Sequence, residues 1–333
     1  MLVALLLLLR QQQLASGSTV GVAYGRNGNN LPSPSEVVSL LKSKSINNVR
    51  IYDASSDVLS AFQNSGVSLI VGVPNPDLQS VSTSSGASSW VQTNIIPYAS
   101  ASSISGIAVG NEVLTRDTQY TQYLYPAMTN IYDALKSNNL DTSIFVSTTH
   151  AFDVIDSQHP YPPSSGQFAP SLQSEMSSIL AFLSQHGGPF LAHVYPYFAY
   201  TSGGGTIPLS YALFQPGTDN VDSGSGLHYT NLFDAQVDTL IAAMGAMGYN
   251  NIQLVVTESG WPHQGDTAAT ISNAQTYNTN LVAHVPNGTP KHPNTLVSTY
   301  IFSLFDENEK SSGIEQHFGV FNPDQSMVYD LTF

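Results

Sequence analysis

The amino-acid sequence predicts an α/β fold: a (β/α)8 TIM barrel, in a single domain, with an open groove at the C-terminal face of its strands. Eight apolar runs alternate with amphipathic stretches along the 333 residues. Polar and aromatic residues follow most of these runs, at the end where parallel barrels carry their functional groups. The length also fits, because barrels of this type commonly exceed about 250 residues as one unit.

The eight predicted strands are apolar runs that end in polar or glycine-containing sequence. They cover residues 20–25, 48–53, 68–74, 106–112, 144–150, 190–197, 253–258 and 299–306. Runs of this kind are typical of parallel strands that are buried on both faces.

Seven amphipathic stretches between these runs predict helices over residues 35–44, 57–64, 88–99, 118–137, 171–185, 232–247 and 268–285. The sequence Ser33-Pro34-Ser35-Glu36 has the capping serine, early proline and early acid that helix N-termini prefer. The competing architecture is an open doubly wound sheet. It is disfavoured because no Gly-x-Gly-x-x-Gly follows the first strand and no phosphate-binding loop motif is present.

Three further segments fall outside the regular alternation. Residues 157–170 and 201–229 are long and rich in Gly, Pro and Ser, which predicts functional walls or lids at the same face of the barrel. Residues 1–18 contain a leucine-rich run that is too short for a membrane span of about 20 residues and are interpreted as an atypical or truncated secretory signal. The alternative for this start is a disordered segment of a cytosolic protein.

Composition excludes several classes of function. Nine basic residues stand against 23 acidic ones, for a net charge of -14, so nucleic-acid binding is not expected. The absence of cysteine excludes disulfides and thiolate metal sites. Nine scattered histidines show no metalloprotease-type pair and are interpreted as loop or packing residues, so neither a metal nor another cofactor is expected.

Glu112 and Glu258 each stand at the end of an apolar, β-branched run. Two carboxyl groups at one barrel face fit glycoside hydrolysis. That reaction needs an acid to protonate the leaving oxygen and a carboxylate to attack the sugar or activate water. The alternative for either residue is a buried structural acid paired with an arginine. The scarcity of lysine and arginine in the chain disfavours it.

Neighbouring residues could bind a sugar. Asn111 can hydrogen-bond a hydroxyl group or orient a carboxylate, and four aromatic residues offer flat apolar faces against which pyranose rings pack. These aromatic residues are Tyr195, Tyr197, Phe198 and Trp261. For the tyrosine and phenylalanine group, packing in the core is an equally good interpretation.

Six segments together resemble plant endo-1,3-β-glucanases of glycoside hydrolase family 17. They are GVAYG at 21–25, NNLPSP at 29–34, VGNE at 109–112, VYPYF at 194–198, VTESGWP at 256–262 and FDENEK at 305–310. The resemblance extends from residue 20 to residue 333. It implies that residues 19–333 form a catalytic barrel whose groove cleaves internal 1,3-β-glucosidic bonds with retention of configuration.

The resemblance also implies roles for individual residues. Glu112 corresponds to the general acid/base and Glu258 to the nucleophile, whereas Glu307 and Lys310 resemble the family's supporting pair, with Glu315 as a third member. The alternative for the supporting pair is a solvated surface run. Tyr52 resembles a substrate-contacting tyrosine, although a strand-end tyrosine can also pack the barrel rim.

Two other functions stay open at this point: a 1,3;1,4-β-glucanase with the same fold and acids, and a non-catalytic glucan-binding wall protein. The expected partner is a β-glucan, and the expected form is a secreted monomer of the extracellular space or cell wall without a membrane anchor. Asn287-Gly288-Thr289 is a glycosylation sequon whose use the sequence does not decide.

Overall fold

A computed structural model describes residues 20–99 and 103–333 of the chain. The predicted secretory signal at residues 1–18 lies outside the described residues. Within those two ranges, no helix is both long enough and apolar enough to cross a membrane.

Eight parallel strands close into a barrel, which confirms the predicted (β/α)8 architecture. In chain order, the strands of the described residues are β1 Val20–Tyr24, β2 Asn48–Ile51, β3 Ser68–Val73, β4 Ser103–Asn111, β5 Phe145–His150, β6 Phe190–His193, β7 Asn220–Val221, β8 His228–Tyr229, β9 Leu254–Ser259 and β10 Thr299–Ile301. Their order around the barrel is β1-β10-β9-β6-β5-β4-β3-β2, while β7 and β8 form a separate antiparallel hairpin.

Helices follow the strands in the predicted alternation. The α-helices are Pro34–Ser43, Ser56–Phe62, Leu78–Val81, Ser84–Asn94, Ile96–Ala99, Val113–Arg116, Thr121–Ser137, Gln173–His186, Pro196–Ser202, Leu209–Ala212, Leu232–Ala246 and Ile271–His284. The 3-10 helices are Asn75–Asp77, Thr118–Tyr120, Phe152–Val154, Pro163–Ser165, Pro170–Leu172, Val285–Asn287 and Ile314–Gln316. The predicted cap of the first helix is present, since the Ser33 amide donates to the Glu36 carboxylate over 2.8 Å.

The hydrophobic core has an inner and an outer layer. The inner layer is a cluster of six buried residues from six different strands: Ile70, Ala108, Phe145, Leu191, Val255 and Tyr300. Residues that alternate with them in sequence pack with the helices into the larger outer cluster. Gly106 makes room for the inner layer, because a Cβ atom at this position would lie 2.2 Å from the Phe145 ring.

Two predicted strands end well before their apolar runs do. Residues 190–197 form a strand only as far as His193, because Pro196 begins a helix with Tyr195 as its N-cap residue. In the run 299–306, the strand ends at Ile301. Beyond it the chain remains attached to the barrel through single contacts, such as the 2.9 Å bond from the Leu304 amide to the Ala23 carbonyl.

Asp222 joins the two long insertions at residues 157–170 and 201–229. Its fully buried carboxylate accepts hydrogen bonds from the Ser164 amide at 2.7 Å and the Ser164 hydroxyl at 2.6 Å. The amides of Gly224 and Ser225 donate to the same carboxylate over 2.8 and 3.2 Å. Burial raises the pKa of Asp222, but these four donors outweigh it and lower the pKa.

Replacing Asp222 with alanine is expected to lower the free energy of unfolding by about 2–4 kcal/mol, because several buried donors lose their acceptor. The pKa of Asp222 is lower in the folded chain than in the unfolded chain. Its contribution to the free energy of unfolding is therefore complete at pH values above the pKa that Asp222 has in the unfolded chain. The contribution disappears as the pH falls through the folded value. Urea unfolding at pH 7 and at acidic pH measures both effects.

The matched control is Asp219→Ala in the same insertion. Asp219 is exposed and contacts the exposed His228 at 3.0 Å, so its loss should change the free energy of unfolding by less than about 0.5 kcal/mol. Equal effects of the two substitutions would contradict the role given to Asp222.

Candidate active site

Four charged or titratable side chains meet at the C-terminal face of the barrel: Arg50 from β2, Glu112 directly after β4, His193 at the end of β6 and Glu258 in β9. His193 and Glu258 are partners in the register of neighbouring parallel strands. The predicted placement of the two glutamates on one face is therefore present in the structure.

Glu112 lies where β4 turns into the next helix. Its backbone is left-handed, with φ 52° and ψ 31°, a conformation that is uncommon for a residue with a long side chain. The Glu112 amide donates to the Thr149 carbonyl of β5 over 3.0 Å, which fixes this turn against the barrel. The Glu112 side chain is 24% exposed, so the carboxyl group reaches the groove.

Glu258 is more deeply buried and accepts three hydrogen bonds. Arg50 Nη1 and the Tyr52 hydroxyl both donate to Glu258 Oε1 over 2.6 Å. The Tyr195 hydroxyl donates to Glu258 Oε2 over 2.8 Å. Both carboxylate oxygens are thus held by donors that stabilise the ionised form.

These contacts decide the charge of Glu258. Burial raises its pKa, but the neighbouring His193 and Arg50, together with the Tyr52 and Tyr195 hydroxyls, lower the pKa well below the ordinary value. The pKa values of Tyr52 and Tyr195 are raised by burial and by the charge of Glu258, so both phenols remain protonated donors. The Glu258 side chain is therefore a carboxylate over the whole neutral and mildly acidic range.

His193 lies between the two glutamates. Its Nδ1 is 2.7 Å from Glu112 Oε1, and its Nε2 is 2.7 Å from Arg50 Nη1 and 3.3 Å from Glu258 Oε1. A guanidinium has no acceptor, so Nε2 must accept from Arg50 and the proton of the neutral ring lies on Nδ1, where it donates to Glu112. In that tautomer, the guanidinium of Arg50 carries the positive charge beside Glu258.

Asn111 completes the arrangement around Arg50. The Asn111 Oδ1 atom accepts from Arg50 Nη2 and from the Thr149 hydroxyl, the latter over 3.1 Å. The backbone N–H of Asn111 donates to Asn75 Oδ1 over 2.7 Å. Asn111 therefore orients the guanidinium, and among the described residues its Nδ2 has no partner and can donate to a ligand.

The two residues predicted as a supporting pair form an ion pair in which the Glu307 side chain is 2% exposed and the Lys310 side chain 16% exposed. The interpretation as a solvated surface run is therefore wrong for these two residues, and their supporting role stays a prediction. Lys310 Nζ lies 3.3 Å from Glu307 Oε2 and 4.2 Å from the centre of the Phe302 ring. Glu307 Oε1 also accepts from the Asn27 amide over 2.8 Å. Gly25 leaves space for this carboxylate, since a Cβ atom there would lie 2.4 Å from Glu307 Oε1.

Glu315 does not join this pair. It lies partly exposed in the 3-10 helix Ile314–Gln316. No hydrogen bond or ion pair connects it to Glu307, Lys310 or Glu258 in the part of the chain that the structure describes. The prediction that Glu315 is a third supporting residue is therefore not supported by a contact with the pair.

The aromatic residues divide into three roles. Tyr52 and Tyr195 donate to Glu258, and Phe198 is 40% exposed and packs edge-on against Tyr195 at 5.2 Å between ring centres. For Trp261 and Tyr197, the prediction of an aromatic face that packs against a sugar is wrong. Both are buried and pack on each other at 5.0 Å, and the Trp261 indole donates to the Ala268 carbonyl over 2.8 Å, so neither ring offers a face to a ligand.

A cavity of about 250 Å³ opens beside the glutamates between β2, β3 and β4. Its polar lining comes from Arg50, Tyr52, Asn75, Asn111 and Asp117. Asn75 Nδ2 bridges the Asp117 carboxylate and the Asn111 carbonyl, each at 2.9 Å. The lining thus combines two neutral amides and a phenol with one guanidinium and one carboxylate, which suits a ligand rich in hydroxyl groups.

Sequence reasoning missed Arg50 and His193. The signal that identified the two glutamates applied to these residues as well, since Arg50 interrupts an apolar run and His193 ends the run Phe190-Leu191-Ala192. A charged or titratable residue in a barrel strand is costly to bury without a partner. Glu258 is in fact paired with an arginine, as the alternative interpretation expected, but this ion pair lies inside the site.

A barrel with two carboxyl groups joined through one imidazole at its C-terminal face defines a glycosidase type of site. A family model described as "Glycosyl hydrolases family 17" matches residues 20–333. The chain belongs to glycosyl hydrolase family 17, which confirms the resemblance found in the sequence.

Relatives of known name support this assignment. The chain is 47% identical to a "Glucan endo-1,3-beta-glucosidase" of Vitis vinifera over 319 residues, covering 95% of this chain and 92% of that protein. Its identity to "Glucan endo-1,3-beta-glucosidase GII" of Hordeum vulgare is also 47%, over 96% of this chain and 93% of that protein. The solved structure of CJP38, a β-1,3-glucanase and allergen of Cryptomeria japonica pollen, superposes with a TM-score of 0.91 at 50% identity, over 94% of this chain and 98% of that one.

Removing the phenols around Glu258 should shift the pH dependence of hydrolysis. Tyr52→Phe and Tyr195→Phe each delete a donor to the ionised carboxylate, which raises the pKa of Glu258. The acid limb of kcat/KM then moves to higher pH, and kcat/KM falls about tenfold per substitution. A pH profile of kcat/KM on a soluble glucan measures both changes.

Tyr197→Phe is the matched control, because its hydroxyl donates to Asp266 over 2.8 Å and does not contact Glu258. Its acid limb should coincide with that of the unsubstituted enzyme. An unmoved limb in both Tyr52→Phe and Tyr195→Phe would show that the phenols do not set the charge of Glu258.

Proposed function

We propose that the protein is a retaining endo-1,3-β-glucanase in which Glu258 is the nucleophile and Glu112 the general acid/base. The observation that carries this proposal is the triple hydrogen bonding of the Glu258 carboxylate by Arg50, Tyr52 and Tyr195. A nucleophile must be ionised when the substrate arrives, and these three donors provide that state.

In the first step, a Glu258 oxygen attacks the anomeric carbon of a bound glucosyl unit while the bond to the leaving oxygen breaks. Glu112 gives its proton to that oxygen, so the shortened glucan leaves as a neutral alcohol. In the second step, water attacks the same anomeric carbon and passes a proton to Glu112, while the bond between that carbon and the Glu258 oxygen breaks. The glucan is released with its configuration retained, and both carboxyl groups return to their starting states.

Glu112 suits the acid role because its two oxygens lie in different surroundings. His193 Nδ1 donates to Oε1 over 2.7 Å, which leaves Oε2 to carry the transferable proton. The left-handed backbone at Glu112 and its bond to β5 direct the side chain into the groove. The same contact couples the acid to Glu258 through a single imidazole ring.

The linkage preference follows the named relatives, which are glucan endo-1,3-β-glucosidases. A second solved structure, from a study of two plant β-glucan endohydrolases with distinct substrate specificities, superposes with a TM-score of 0.89 at 39% identity over 94% of this chain. The barrel therefore accommodates more than one specificity. Of the named examples, the 1,3-β-glucanase has the higher identity to this chain. Action outside the cell, as a monomer exported by residues 1–18, belongs to the same proposal.

Parallel incubation with laminarin, mixed-linkage 1,3;1,4-glucan and cellulose tests the linkage. We expect oligosaccharides of several lengths from laminarin, slower release from the mixed-linkage glucan and none from cellulose. Preferential cleavage of the mixed-linkage glucan would favour a 1,3;1,4-β-glucanase. Binding of laminarin without any product would favour a glucan-binding wall protein.

Glu258→Ala should reduce kcat on laminarin by at least about 10⁴-fold, because the variant lacks the carboxylate that attacks the anomeric carbon. Loss of its charge also leaves Arg50 without its carboxylate partner, so the Tm of the variant is recorded in parallel. Turnover at the rate of the unsubstituted enzyme would remove Glu258 as nucleophile.

Glu112→Gln should reduce kcat by about 10²–10⁴-fold on laminarin but much less on an aryl glucoside with an activated leaving group, which departs without protonation. Kinetics on the two substrates measure the difference. Equal loss on both would contradict the assignment of Glu112 as the acid.

A further inference from the structure

Three side chains from separate segments form a cluster of metal-ligating groups outside the network around Glu112 and Glu258. His263 Nε2 lies 2.9 Å from Asp306 Oδ2, and His317 Nδ1 lies 3.5 Å from the same oxygen. The three ligand atoms lie within 4.8 Å of one another. We propose that His263, Asp306 and His317 bind one Zn²⁺ ion, a site separate from the two catalytic glutamates.

The chemistry of the cluster suits Zn²⁺. Two imidazoles and one carboxylate are ligands that zinc accepts at about 2.0–2.2 Å, usually in tetrahedral geometry. Atoms bound in this way lie about 3.3–3.5 Å apart. The observed separation of 2.9 Å is shorter than that spacing and the one of 3.5 Å is at its upper end, so small side-chain rotations are enough to admit the ion.

Exposure of the cluster allows a metal ion to enter. The side chains of His263, Asp306 and His317 are 9%, 18% and 24% exposed. A fourth coordination position can thus be taken by water, as three-ligand zinc sites commonly arrange. The ligands are also held together by packing, since the two imidazole rings meet edge to face at 5.3 Å between centres.

The backbone fixes the three ligands independently of any ion. The His263 amide donates to the His317 carbonyl over 2.9 Å, and the Asp306 amide donates to the Phe321 carbonyl over 3.1 Å. The second carboxylate oxygen, Asp306 Oδ1, accepts from the Gly319 amide over 2.8 Å. Such a secondary contact holds the carboxylate of a metal ligand in place and leaves Oδ2 for the ion.

The position of the cluster gives the ion a structural role. His263 belongs to the segment that follows β9, the strand of Glu258, whereas Asp306 directly precedes Glu307 of the supporting pair. Zinc would therefore cross-link the segment after the nucleophile strand to the segment that carries Glu307. No ligand hydrogen-bonds Glu112 or Glu258 in the described residues, so the ion stabilises these segments rather than taking part in bond cleavage.

The test is a titration of EDTA-treated, buffer-exchanged protein with ZnCl2, followed by isothermal calorimetry and by thermal unfolding. We expect one Zn²⁺ per chain and a Tm that rises by about 4 °C when zinc is about 100-fold above its Kd. His263→Ala and His317→Ala should lose both the binding heat and the zinc-dependent rise. Absence of binding in the unsubstituted protein would overturn the proposal.

His228→Ala is the matched control, since His228 also contacts an aspartate at 3.0 Å but is exposed and has no second histidine beside it. It should keep the full zinc response. A purely hydrogen-bonded role for His263 would lower the Tm equally with and without zinc. A zinc response that survives both histidine substitutions would place the ion elsewhere and contradict the assignment.

If a substituted protein fails to fold, Co²⁺ titration of the unsubstituted chain gives an independent answer. Cobalt in a tetrahedral site with two imidazoles and a carboxylate produces visible d–d absorption that added Zn²⁺ removes. Failure to develop that absorption would also overturn the proposal. Neither measurement depends on hydrolysis of a glucan.

Discussion

The ion pair between Arg50 and Glu258 is the interaction on which the site depends. Both side chains are buried, and the barrel brings them together from β2 and β9. Burying two charges costs free energy that their attraction repays only with good geometry and additional hydrogen bonds. Here Asn111, Tyr52, Tyr195 and His193 supply those bonds. The main effect of the ion pair is to hold an ionised carboxylate at a fixed position, rather than to stabilise the folded chain.

The barrel determines which groups can join this network. Parallel strands of a closed sheet end at one face, so residues from β2, β4, β6 and β9 converge although they are distant in sequence. The inner core layer beneath them, which includes Phe145 and Tyr300, is apolar and excludes water from below. Electrostatic interactions strengthen in such surroundings. The same scaffold holds Glu307 and Lys310 as a second ion pair, in which the carboxylate is buried.

Sequence patterns predicted the barrel and the two glutamates because each signal was local. An apolar run that ends in an acid identifies a strand and its functional end in one short segment. Contacts across the barrel leave no such local pattern. The positions of Arg50 and His193 depend on which strand ends face each other, and Trp261 is buried because the helix Pro196–Ser202 brings Tyr197 against it. His263, Asp306 and His317 are likewise separated by 43 and 11 residues, without a short motif.

The central claim is that Glu258, ionised by its three donors, forms the covalent bond to the sugar. The most direct measurement uses a 1,3-linked disaccharide whose reducing-end glucose carries fluorine at C2 and an activated leaving group at C1. This probe forms the ester with the enzyme quickly, and the ester hydrolyses slowly. Mass spectrometry of the intact protein and of its peptides should show one added glycosyl group, located on Glu258. A label on another residue, or no label together with a product of inverted configuration, would contradict the account.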